Sequence, residues 1–506
     1  MSRPPAPPPE IEAYNLLAAG RFAEALPLAE KAVAGQTVCQ PTHGMLATIL
    51  VHLGRRDDAE RVIEQALQFR EGPADAYNAL AHALQLLGHY ERSNEMYRRA
   101  AALSPDDWRF WHNLASSERS LGRLQEAEAA CDRTIALDRT RYANYLLRSE
   151  LRVQTDDRNH VAGMQRELAR PDVDDRARMF LGYALAKELD DLKRYDEAFQ
   201  YLAEASRIRR RNLQYNVAGD QRKLLRIEEV FPKSLVRATS ADVVGSSRFI
   251  FIIGLPRSGT TLLEHMLTGL AGVRSNGETE NFSQALMAEA ARDRGDVFAG
   301  AAAADPAAVA AGYAKLADPH PSPPPPGGGG LGGGSIIEKL PMNYLYLGAI
   351  HRALPNAKLV IVNREPLDSC FAMYRTLFGE AYPFSYDFED LANYYAAYER
   401  LMNHWRACLG DTLCEITYED LVKSPAQVGA RVAAYCGLQW SERAVQVQDR
   451  TTVSLTASAA QIRRPIYSSS TGRWRRYGRH LEPLIQALRR LHVAVPHSES
   501  NSPQNE

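Results

Sequence analysis

The sequence predicts a chain of two parts: an N-terminal α-solenoid of helical-hairpin repeats, followed by a P-loop-type parallel α/β domain. In the first half, glycines recur every 34 residues, at Gly20, Gly54, Gly88 and Gly122. Beyond residue 240, short β-rich runs alternate with helical stretches. One of these runs leads into a tight turn rich in glycine and hydroxyl-bearing residues, at 254–261. A fixed repeat period and strands alternating with helices are typical of these two architectures.

The composition excludes several classes of protein. The chain has 506 residues, which is room for about two to four domains. A hydrophobic share of 45% and a charged share of 24% are ordinary for a globular protein and exclude a wholly disordered or disulfide-stapled chain. The 60 basic and 61 acidic side chains give a net charge of -1. This balance provides no general attraction to nucleic acid or to an anionic membrane, so any anion site must be local.

The cysteines and the N-terminus indicate a cytoplasmic protein. The six cysteines include no C-x-x-C pair, and scattered thiols fit a reducing compartment. Residues 1–10 are proline-rich and lack the apolar core of a secretory signal. The longest solidly apolar run, 249–255, is far shorter than the about 20 residues that span a bilayer. We therefore expect no membrane span.

The repeat has other fixed positions besides its glycine. An alanine lies seven residues before each glycine, and a small residue lies five residues after it. Glycine can end a helix in the left-handed conformation, and small residues let two helices approach closely. This pattern resembles the tetratricopeptide repeat. The register fades near Asp156, but a related phrase returns at 192–205, so we predict five or six helical pairs over residues 11–215. Such a solenoid typically offers a surface to a peptide or protein partner.

The second half carries four β-rich runs, at 248–253, 335–339, 358–363 and 412–418. Strands separated by helices predict a parallel sheet that is covered on both faces. We expect this domain to occupy residues 248–495, after a connector at 216–247. Residues 321–335 consist almost wholly of proline, glycine and serine, which cannot form a core, and they predict a disordered insertion within the domain.

Segment 249–267 combines an apolar strand, a tight turn and the start of a helix. The backbone amides of such a turn and the positive end of the following helix form an anion cradle. Its candidate phosphate ligands are Arg257, Ser258, Gly259, Thr260 and Thr261. The spacing is that of a Walker A loop, but Thr260 occupies the position of the Walker lysine, which argues against a nucleotide triphosphatase. A purely structural turn is the alternative.

The run L-P-R-S-G-T-T at 255–261 resembles the 5′-phosphosulfate loop of sulfotransferases. It is most similar to bacterial sulfotransferases that look like tyrosylprotein sulfotransferase, and the resemblance covers residues 248–490. It implies 3′-phosphoadenosine 5′-phosphosulfate as the co-substrate, a hydroxyl acceptor and no metal. The sequence itself contains no H-E-x-x-H motif and no carboxylate–histidine cluster for a metal.

A second element that is similar to the family lies at 358–378, a strand followed by a helix. The resemblance implies that Arg364 binds the 3′-phosphate of the donor. The family's partner serine, eight residues further on, is replaced by Ala372, and nearby Ser369 would face another direction on a helix. This departure puts the second contact in doubt.

A third element, at 465–477, is similar to the family's C-terminal loop. The resemblance assigns 3′-phosphate contacts to Tyr467, Ser468 and Ser469 and makes Trp474 a packing anchor. Gly472 stands where the family has a serine near the sulfate, so a neighbouring hydroxyl such as that of Ser470 would have to replace it. Six arginines and no carboxylate lie between residues 463 and 479, which indicates either a solvated face or a bis-phosphate site.

The base that takes the acceptor's proton has three candidates: Glu278, Glu280 and a histidine. Glu278 precedes a threonine, as does the base of tyrosylprotein sulfotransferase, and Glu280 is two residues away. A histidine serves in the cytosolic small-molecule sulfotransferases, but His265 and His351 lie in helical text without that family's context. We favour Glu278, and a solvated loop carboxylate is the alternative reading.

Lys339 follows a predicted strand and matches the family lysine that contacts the sulfuryl group and the bridging oxygen. The carboxyl end of a strand in an open α/β sheet is where ligands bind, although a surface lysine is also common there. Sulfuryl transfer resembles phosphoryl transfer, in which charge develops on the equatorial and leaving oxygens. We therefore expect Arg257 and Lys339 to stabilise the transition state.

These observations favour a sulfotransferase that acts on a hydroxyl acceptor, either a peptidyl tyrosine, a carbohydrate or a small phenol. The acceptor would be a peptide, protein or glycan, with a protein partner on the repeats. The alternative is a repeat-based interaction scaffold whose sulfotransferase-like domain is inactive, which the departures at Ala372 and Gly472 keep open. A kinase or triphosphatase is disfavoured by Thr260.

Overall fold

The structure is a computed structural model that describes residues 8–36, 38–69, 71–290, 296–318, 334–447, 466 and 470–496. Its backbone contacts divide the chain into two compact units, one ending at Leu192 and the next beginning at Lys193. The predicted insertion at 321–335 lies outside the described residues, apart from its last two positions.

All regular secondary structure in the described part of the first unit is helical. Its helices are α1 (Pro9–Ala18), α2 (Phe22–Val33), α3 (Pro41–His52), α4 (Arg56–Gln68), α5 (Ala74–Leu86), α6 (Tyr90–Leu103), α7 (Trp108–Leu121), α8 (Leu124–Leu137), α9 (Tyr142–Glu150), α10 (Val161–Leu168) and α11 (Asp175–Asp191). Each of the first four hairpins turns at a periodic glycine, whose φ lies between 72 and 84°. A left-handed residue at these turns is the helix-ending conformation that the repeat predicts.

Small residues form the interior of each hairpin, as the repeat predicts. The alanines seven residues before the glycines are fully buried: Ala13, Ala47, Ala81 and Ala115. A small residue lies five positions after each glycine. In the third hairpin this residue is Ser93, which is 1% exposed and whose Oγ donates a hydrogen bond to the Ala81 carbonyl oxygen at 2.7 Å. Close packing at these positions explains why larger side chains do not occur there. The α-solenoid prediction is confirmed.

The second unit contains a five-stranded sheet with helices around it. The strands are β1 (Phe249–Gly254), β2 (Val273–Ser275), β3 (Ser335–Glu338), β4 (Lys358–Asn363) and β5 (Leu413–Thr417). The helices are α12 (Tyr195–Arg211), α13 (Val217–Val230), α14 (Lys233–Arg237), α15 (Thr260–Leu267), α16 (Asn281–Ala290), α17 (Val297–Ala303), α18 (Pro306–Ala317), α19 (Leu347–Ala353), α20 (Pro366–Tyr374), α21 (Phe388–Leu409), α22 (Tyr418–Lys423), α23 (Pro425–Cys436) and α24 (Gly478–Arg490).

The strands lie in the order β2-β3-β1-β4-β5, and every pairing is parallel. The sequence predicts four of these strands. It misses β2, whose three residues are too few to show a period of two. Because β1 pairs with β3 on one side and β4 on the other, the turn that follows β1 lies at the middle of the sheet's carboxyl edge.

Alternate residues of β1 cover opposite faces of the sheet. Ile250 and Ile252 pack in one hydrophobic cluster with Leu263 of α15 and Val432 of α23. On the other face, the Phe251 ring centroid lies 6.1 Å from that of Phe282 in α16. Both faces are therefore covered by helices, and the predicted doubly covered parallel sheet is confirmed.

Helix α12 groups with the second unit, whereas the sequence assigns it to the repeat domain at 11–215. Phe199 of α12 stacks on His480, with ring centroids 4.5 Å apart. Arg210 of α12 donates to Asp390 of α21 at 2.5 Å. The hydrophobic pattern of α12 is that of a repeat helix, and such a pattern does not identify the neighbour against which a helix packs.

The predicted connector at 216–247 contains two helices, α13 and α14. Gln221 of α13 donates to Asn393 of α21 at 3.1 Å, so this segment is packed onto the second unit. Among the described residues, no single helix is long and apolar enough to cross a membrane; α17 and α18 together meet that length and composition, with a 96° bend between them.

Candidate active site

The turn between β1 and α15, residues 254–261, is called the phosphate loop below. A Cβ on Gly254 would lie 2.6 Å from the carbonyl oxygen of Val362, so only glycine fits against β4. Gly259 has a φ of +102°, and a Cβ there would lie 2.5 Å from the Cδ2 of Tyr418. These two close approaches explain why glycine stands at positions 254 and 259 of the loop.

The polar side chains of the phosphate loop are largely buried. Ser258 is 1% exposed, and its Oγ has no hydrogen-bond partner among the described residues. Thr260 and Thr261 begin α15 and are 3% and 8% exposed. Arg257 has a φ of 67°, an unusual conformation for a residue other than glycine. A buried unpaired hydroxyl beside the positive end of a helix fits an anionic ligand.

Arg364 follows β4 and connects the phosphate loop to residue 470 of the segment 465–477, which is called the C-terminal segment below. Its Nη1 donates to the carbonyl oxygen of Arg257 at 2.8 Å, and its Nη2 donates to that of Ser470 at 2.7 Å. Its guanidinium carbon lies 4.6 Å from the centre of the Tyr418 ring. The Nε is buried and has no partner among the described residues, so it is a donor suited to an anion at this edge of the sheet.

Asp368 of α20 binds the backbone of the C-terminal segment at two residues. Its carboxylate accepts hydrogen bonds from the backbone amides of Gly472 and of Trp474, the latter at 3.2 Å. Trp474 is 3% exposed, in agreement with a packing role. The predicted contacts Tyr467, Ser468 and Ser469 lie outside the described residues.

The two departures from the family pattern have different local settings. Ala372 lies in α20 and offers no side-chain donor; its carbonyl oxygen accepts from Thr376 Oγ1 at 2.9 Å. Gly472 has a φ of +67°, and its amide donates to Asp368. The backbone at residue 472 therefore suits glycine rather than the serine that the family pattern has there.

Gly472→Ala is expected to lower the free energy of unfolding of the second unit by about 1–2 kcal/mol, because an alanine at this φ is strained. Chemical denaturation of the variant would measure this loss. Gly478→Ala is the matched control: Gly478 has a φ of -46°, and a Cβ there would meet nothing within 4 Å. Equal losses from the two variants would contradict the explanation.

Lys339 lies at the end of β3 and is fully buried. Its Nζ donates to the Oε1 of Glu278 and lies 3.6 Å from the Oε2 of Glu264 in α15. The Glu278 side chain is 39% exposed, whereas that of Glu264 is 10% exposed. The structure therefore brings together two sequence-predicted residues, Glu278 and Lys339, with a third carboxylate that the sequence reasoning missed.

Ser275, at the end of β2, supports this group of three residues. Its Oγ donates to Glu264 Oε1 at 2.5 Å and accepts from the Gly277 amide at 2.9 Å. The Lys339 amide donates to the Gly277 carbonyl oxygen at 3.1 Å. Burial raises the pKa of the Glu264 carboxyl above its usual value, and the neighbouring Lys339 ammonium offsets only part of this rise. The loop that carries Glu278 is thus fastened to β3 and α15.

The alternative bases lie elsewhere. Glu280 is exposed, and its backbone carbonyl accepts the amide of Gln284 at the start of α16. His265 lies in α15, and His351 lies in α19, where burial lowers its pKa. Neither these histidines nor Glu280 forms an ion pair or hydrogen bond with Lys339 within the described chain.

Two tyrosines at the site were missed by the sequence reasoning. Tyr418 begins α22 directly after β5, and a position at the carboxyl end of a strand was the signal that could have found it. Tyr382 has a φ of 52°, and its pKa is raised by burial and by the nearby negative charge of Glu278. No sequence signal marks Tyr382, because 43 residues separate it from Lys339 and 104 separate it from Glu278.

Among the residues that the structure describes, no group of three or more histidine, cysteine, aspartate or glutamate side chains could hold a metal ion. The described polar groups at the carboxyl edge of the sheet include buried unpaired donors at Ser258 and Arg364 and a carboxylate–lysine pair at Glu278 and Lys339.

Comparison with known sequences identifies both parts of the chain. Residues 249–442 match the sulfotransferase family, and residues 16–84 and 78–142 match tetratricopeptide repeats. A curated protein of Aquifex aeolicus (strain VF5), named "Uncharacterized protein", is 26% identical over 466 residues, which are 85% of this chain. The matched chain spans 57% of the length of that relative.

Solved structures show weaker similarity. The sulfotransferase domain from the curacin biosynthetic pathway is 18% identical, with a TM-score of 0.33; the alignment covers 49% of this chain and 98% of that domain. Sulfotransferase STF1 from Mycobacterium tuberculosis H37Rv is 15% identical with a TM-score of 0.27, covering 62% of this chain and 98% of STF1. The matches to family models place a sulfotransferase domain at residues 249–442, after tetratricopeptide repeats at 16–84 and 78–142.

Proposed function

We propose that this protein is a sulfotransferase that moves a sulfuryl group from 3′-phosphoadenosine 5′-phosphosulfate to a hydroxyl acceptor. The observation that carries the proposal is the carboxylate–lysine pair Glu278–Lys339 beside the phosphate loop. β1 and β3 are parallel neighbours, so the phosphate loop and Lys339 lie at the same edge of the sheet. This is the edge at which open α/β sheets bind ligands.

The phosphate loop would hold the 5′-phosphosulfate end of the donor. Its backbone amides and the positive end of α15 attract negative charge, and Arg257, Ser258, Thr260 and Thr261 add donors. The buried Ser258 Oγ, which has no partner among the described residues, supports this assignment. Thr260 in place of the Walker lysine disfavours the triphosphatase alternative.

Arg364 would bind the 3′-phosphate, together with Tyr467, Ser468 and Ser469 of the C-terminal segment. The support is that Arg364 Nε is buried without a described partner and that Arg364 Nη2 holds Ser470 beside it. Arginine suits this task because its planar group donates in several directions at once. Ala372 offers no second contact from α20.

In the transfer step, the acceptor oxygen forms a bond to sulfur as the bond between sulfur and the donor's phosphate oxygen breaks. The acceptor's proton passes to the Glu278 carboxylate, which is exposed enough to receive an acceptor. Negative charge develops on the equatorial and leaving oxygens, and Lys339 and Arg257 offset it. The desulfated nucleotide then leaves with the phosphate oxygen that the sulfuryl group had occupied.

The acceptor would be a hydroxyl of a peptidyl tyrosine or a carbohydrate, and the repeat unit would bind the acceptor protein or another protein partner.

The location we propose is the cytoplasm. The support for it is that all six cysteines are free thiols, as a reducing compartment requires.

Label transfer tests this function. The full chain would be incubated with donor labelled in its sulfuryl group and a fractionated extract of the host cell, and the labelled fraction would be identified. We expect label in a hydroxyl-bearing product without added metal. Binding of the donor without transfer to any fraction would favour the scaffold alternative, and hydrolysis of ATP with magnesium would favour a triphosphatase.

Arg364→Ala is expected to weaken binding of 3′-phosphoadenosine 5′-phosphate by about 10-fold or more, because a charge-assisted contact to a phosphate is lost. Titration calorimetry would measure the affinity. Arg431→Ala is the control, since Arg431 lies in α23 and donates to the Glu415 carbonyl oxygen instead. Equal affinity in the wild type and Arg364→Ala would remove Arg364 from the nucleotide site.

A further inference from the structure

The buried ammonium of Lys339 faces two carboxylates rather than one. Its Nζ donates to Glu278, and the Oε2 of Glu264 lies 3.6 Å away. The reaction proposed above requires only one of these carboxylates as a base. The second carboxylate, that of Glu264 in α15, is only 10% exposed, and its place beside Lys339 needs a separate explanation.

The two carboxylates differ in how firmly they are held. The Glu278 side chain is 39% exposed, so it can turn toward an acceptor. Glu264 is anchored from its other oxygen by the Ser275 hydroxyl at 2.5 Å. Ser275 is itself fixed, because it accepts the Gly277 amide at 2.9 Å. One carboxylate can therefore leave Lys339 while the other stays.

The firmer anchoring of Glu264 matters for the charge balance around Lys339. When Glu278 takes a proton, it loses the negative charge that pairs with Lys339. A fully buried ammonium without any carboxylate is strongly unfavourable. With Glu264 in place, one positive and one negative charge remain together, and Lys339 keeps its position at the phosphate loop.

We infer that Glu264 is a positioning residue, a second counter-ion that holds Lys339 in place when Glu278 takes the proton of the acceptor. This inference rests on the proposed sulfuryl transfer for its role in turnover. The pairing of Glu264 with Lys339 is a separate statement that stability measurements can test without any activity.

Glutamine variants separate charge from shape, because glutamine keeps an oxygen that can accept from Ser275. Glu278→Gln also resembles the protonated form of Glu278. In that variant Lys339 depends on Glu264 alone, and in Glu264→Gln it depends on Glu278. Only the double variant leaves the buried ammonium with no carboxylate.

The first experiment is thermal unfolding of the full chain and its variants. We expect the double variant Glu264→Gln/Glu278→Gln to lower the midpoint of the second unit by clearly more than the sum of the two single variants. Additive losses would overturn the pairing. Glu280→Gln should add simply to Glu264→Gln, and Glu264→Asp, which retains the charge, should restore additivity with Glu278→Gln.

The second experiment measures turnover in Glu264→Gln and in Glu264→Asp, which retains the negative charge. In Glu264→Gln the maximal kcat should fall about tenfold, while affinity for 3′-phosphoadenosine 5′-phosphate changes less than about threefold. Glu264→Asp should recover most of kcat, because a carboxylate again faces the Lys339 ammonium.

An equal loss of kcat in Glu264→Gln and Glu264→Asp would mean that the charge of Glu264 does not matter and would overturn the positioning role. If the wild type transfers no sulfuryl group, the proposed function fails, whereas the unfolding experiment still decides whether Glu264 and Lys339 form a pair. The two failures are therefore distinguishable.

Discussion

Glu278→Gln is expected to lower the turnover of sulfuryl transfer by about 10²-fold or more, because an amide cannot take the acceptor's proton. The affinity for 3′-phosphoadenosine 5′-phosphate should change little, since the nucleotide contacts that we assign lie at the phosphate loop and Arg364. Turnover at saturating donor, compared with calorimetric affinity for the product nucleotide, measures both effects.

Glu280→Gln is the matched control for this variant. Glu280 lies two residues away and is exposed, and its carboxylate forms no ion pair with Lys339 within the described chain. Its removal should leave turnover close to that of the wild type. If Glu278→Gln keeps near-normal turnover, or if Glu280→Gln loses as much, the assignment of Glu278 as the base is wrong.

Lys339→Met is expected to lower turnover by about 10²–10³-fold, because a cation that offsets charge on the transferred group is removed. The variant also leaves Glu264 largely buried without its cation. Breaking a buried pair from one side costs about 3–5 kcal/mol, so the free energy of unfolding should fall as well. Lys339→Arg should recover part of the stability, since it restores the positive charge.

The control for Lys339→Met is Lys358→Met. Lys358 begins β4, at the amino end of the strand, and its Nζ lies 5.5 Å from the centre of the Tyr435 ring. Loss of this lysine should leave turnover near the wild-type value. A Lys339→Met protein that folds with normal stability and normal turnover would contradict both the buried pair and the stabilising role.

The repeats and the phosphate loop could be predicted from sequence because their signals are local. The turn glycines and the buried alanines follow each other within one hairpin, so their spacing reports the contacts directly. The strand, turn and helix around Gly254 and Gly259 are contiguous, and their physical requirements can be read from a single run of residues.

Glu264, Tyr382 and Tyr418 could not be assigned in the same way. Glu264 lies within the helical run 260–267, and its partner Lys339 is 75 residues away in sequence. Their meeting depends on the parallel pairing of β1, β2 and β3, which places α15, the end of β2 and the end of β3 together. A sequence pattern predicts the helices and strands, but it does not predict which of them become neighbours in the fold.

The departures at Ala372 and Gly472 illustrate the same difference. From the sequence, both replace a serine and count against activity. In the structure, Gly472 occupies a left-handed turn whose amide is bound by Asp368, and the backbone accounts for the glycine without reference to the donor. Ala372 has no such explanation.

Titration of the full chain with 3′-phosphoadenosine 5′-phosphate in metal-free buffer tests the proposed donor site without any knowledge of the acceptor. Adenosine 5′-monophosphate is the comparison, since it lacks the 3′-phosphate. We expect the bis-phosphate to bind at least about tenfold more tightly and Arg364→Ala to remove most of the difference. Equal affinity for the two nucleotides, or binding that requires magnesium, would contradict a 3′-phosphate site at Arg364.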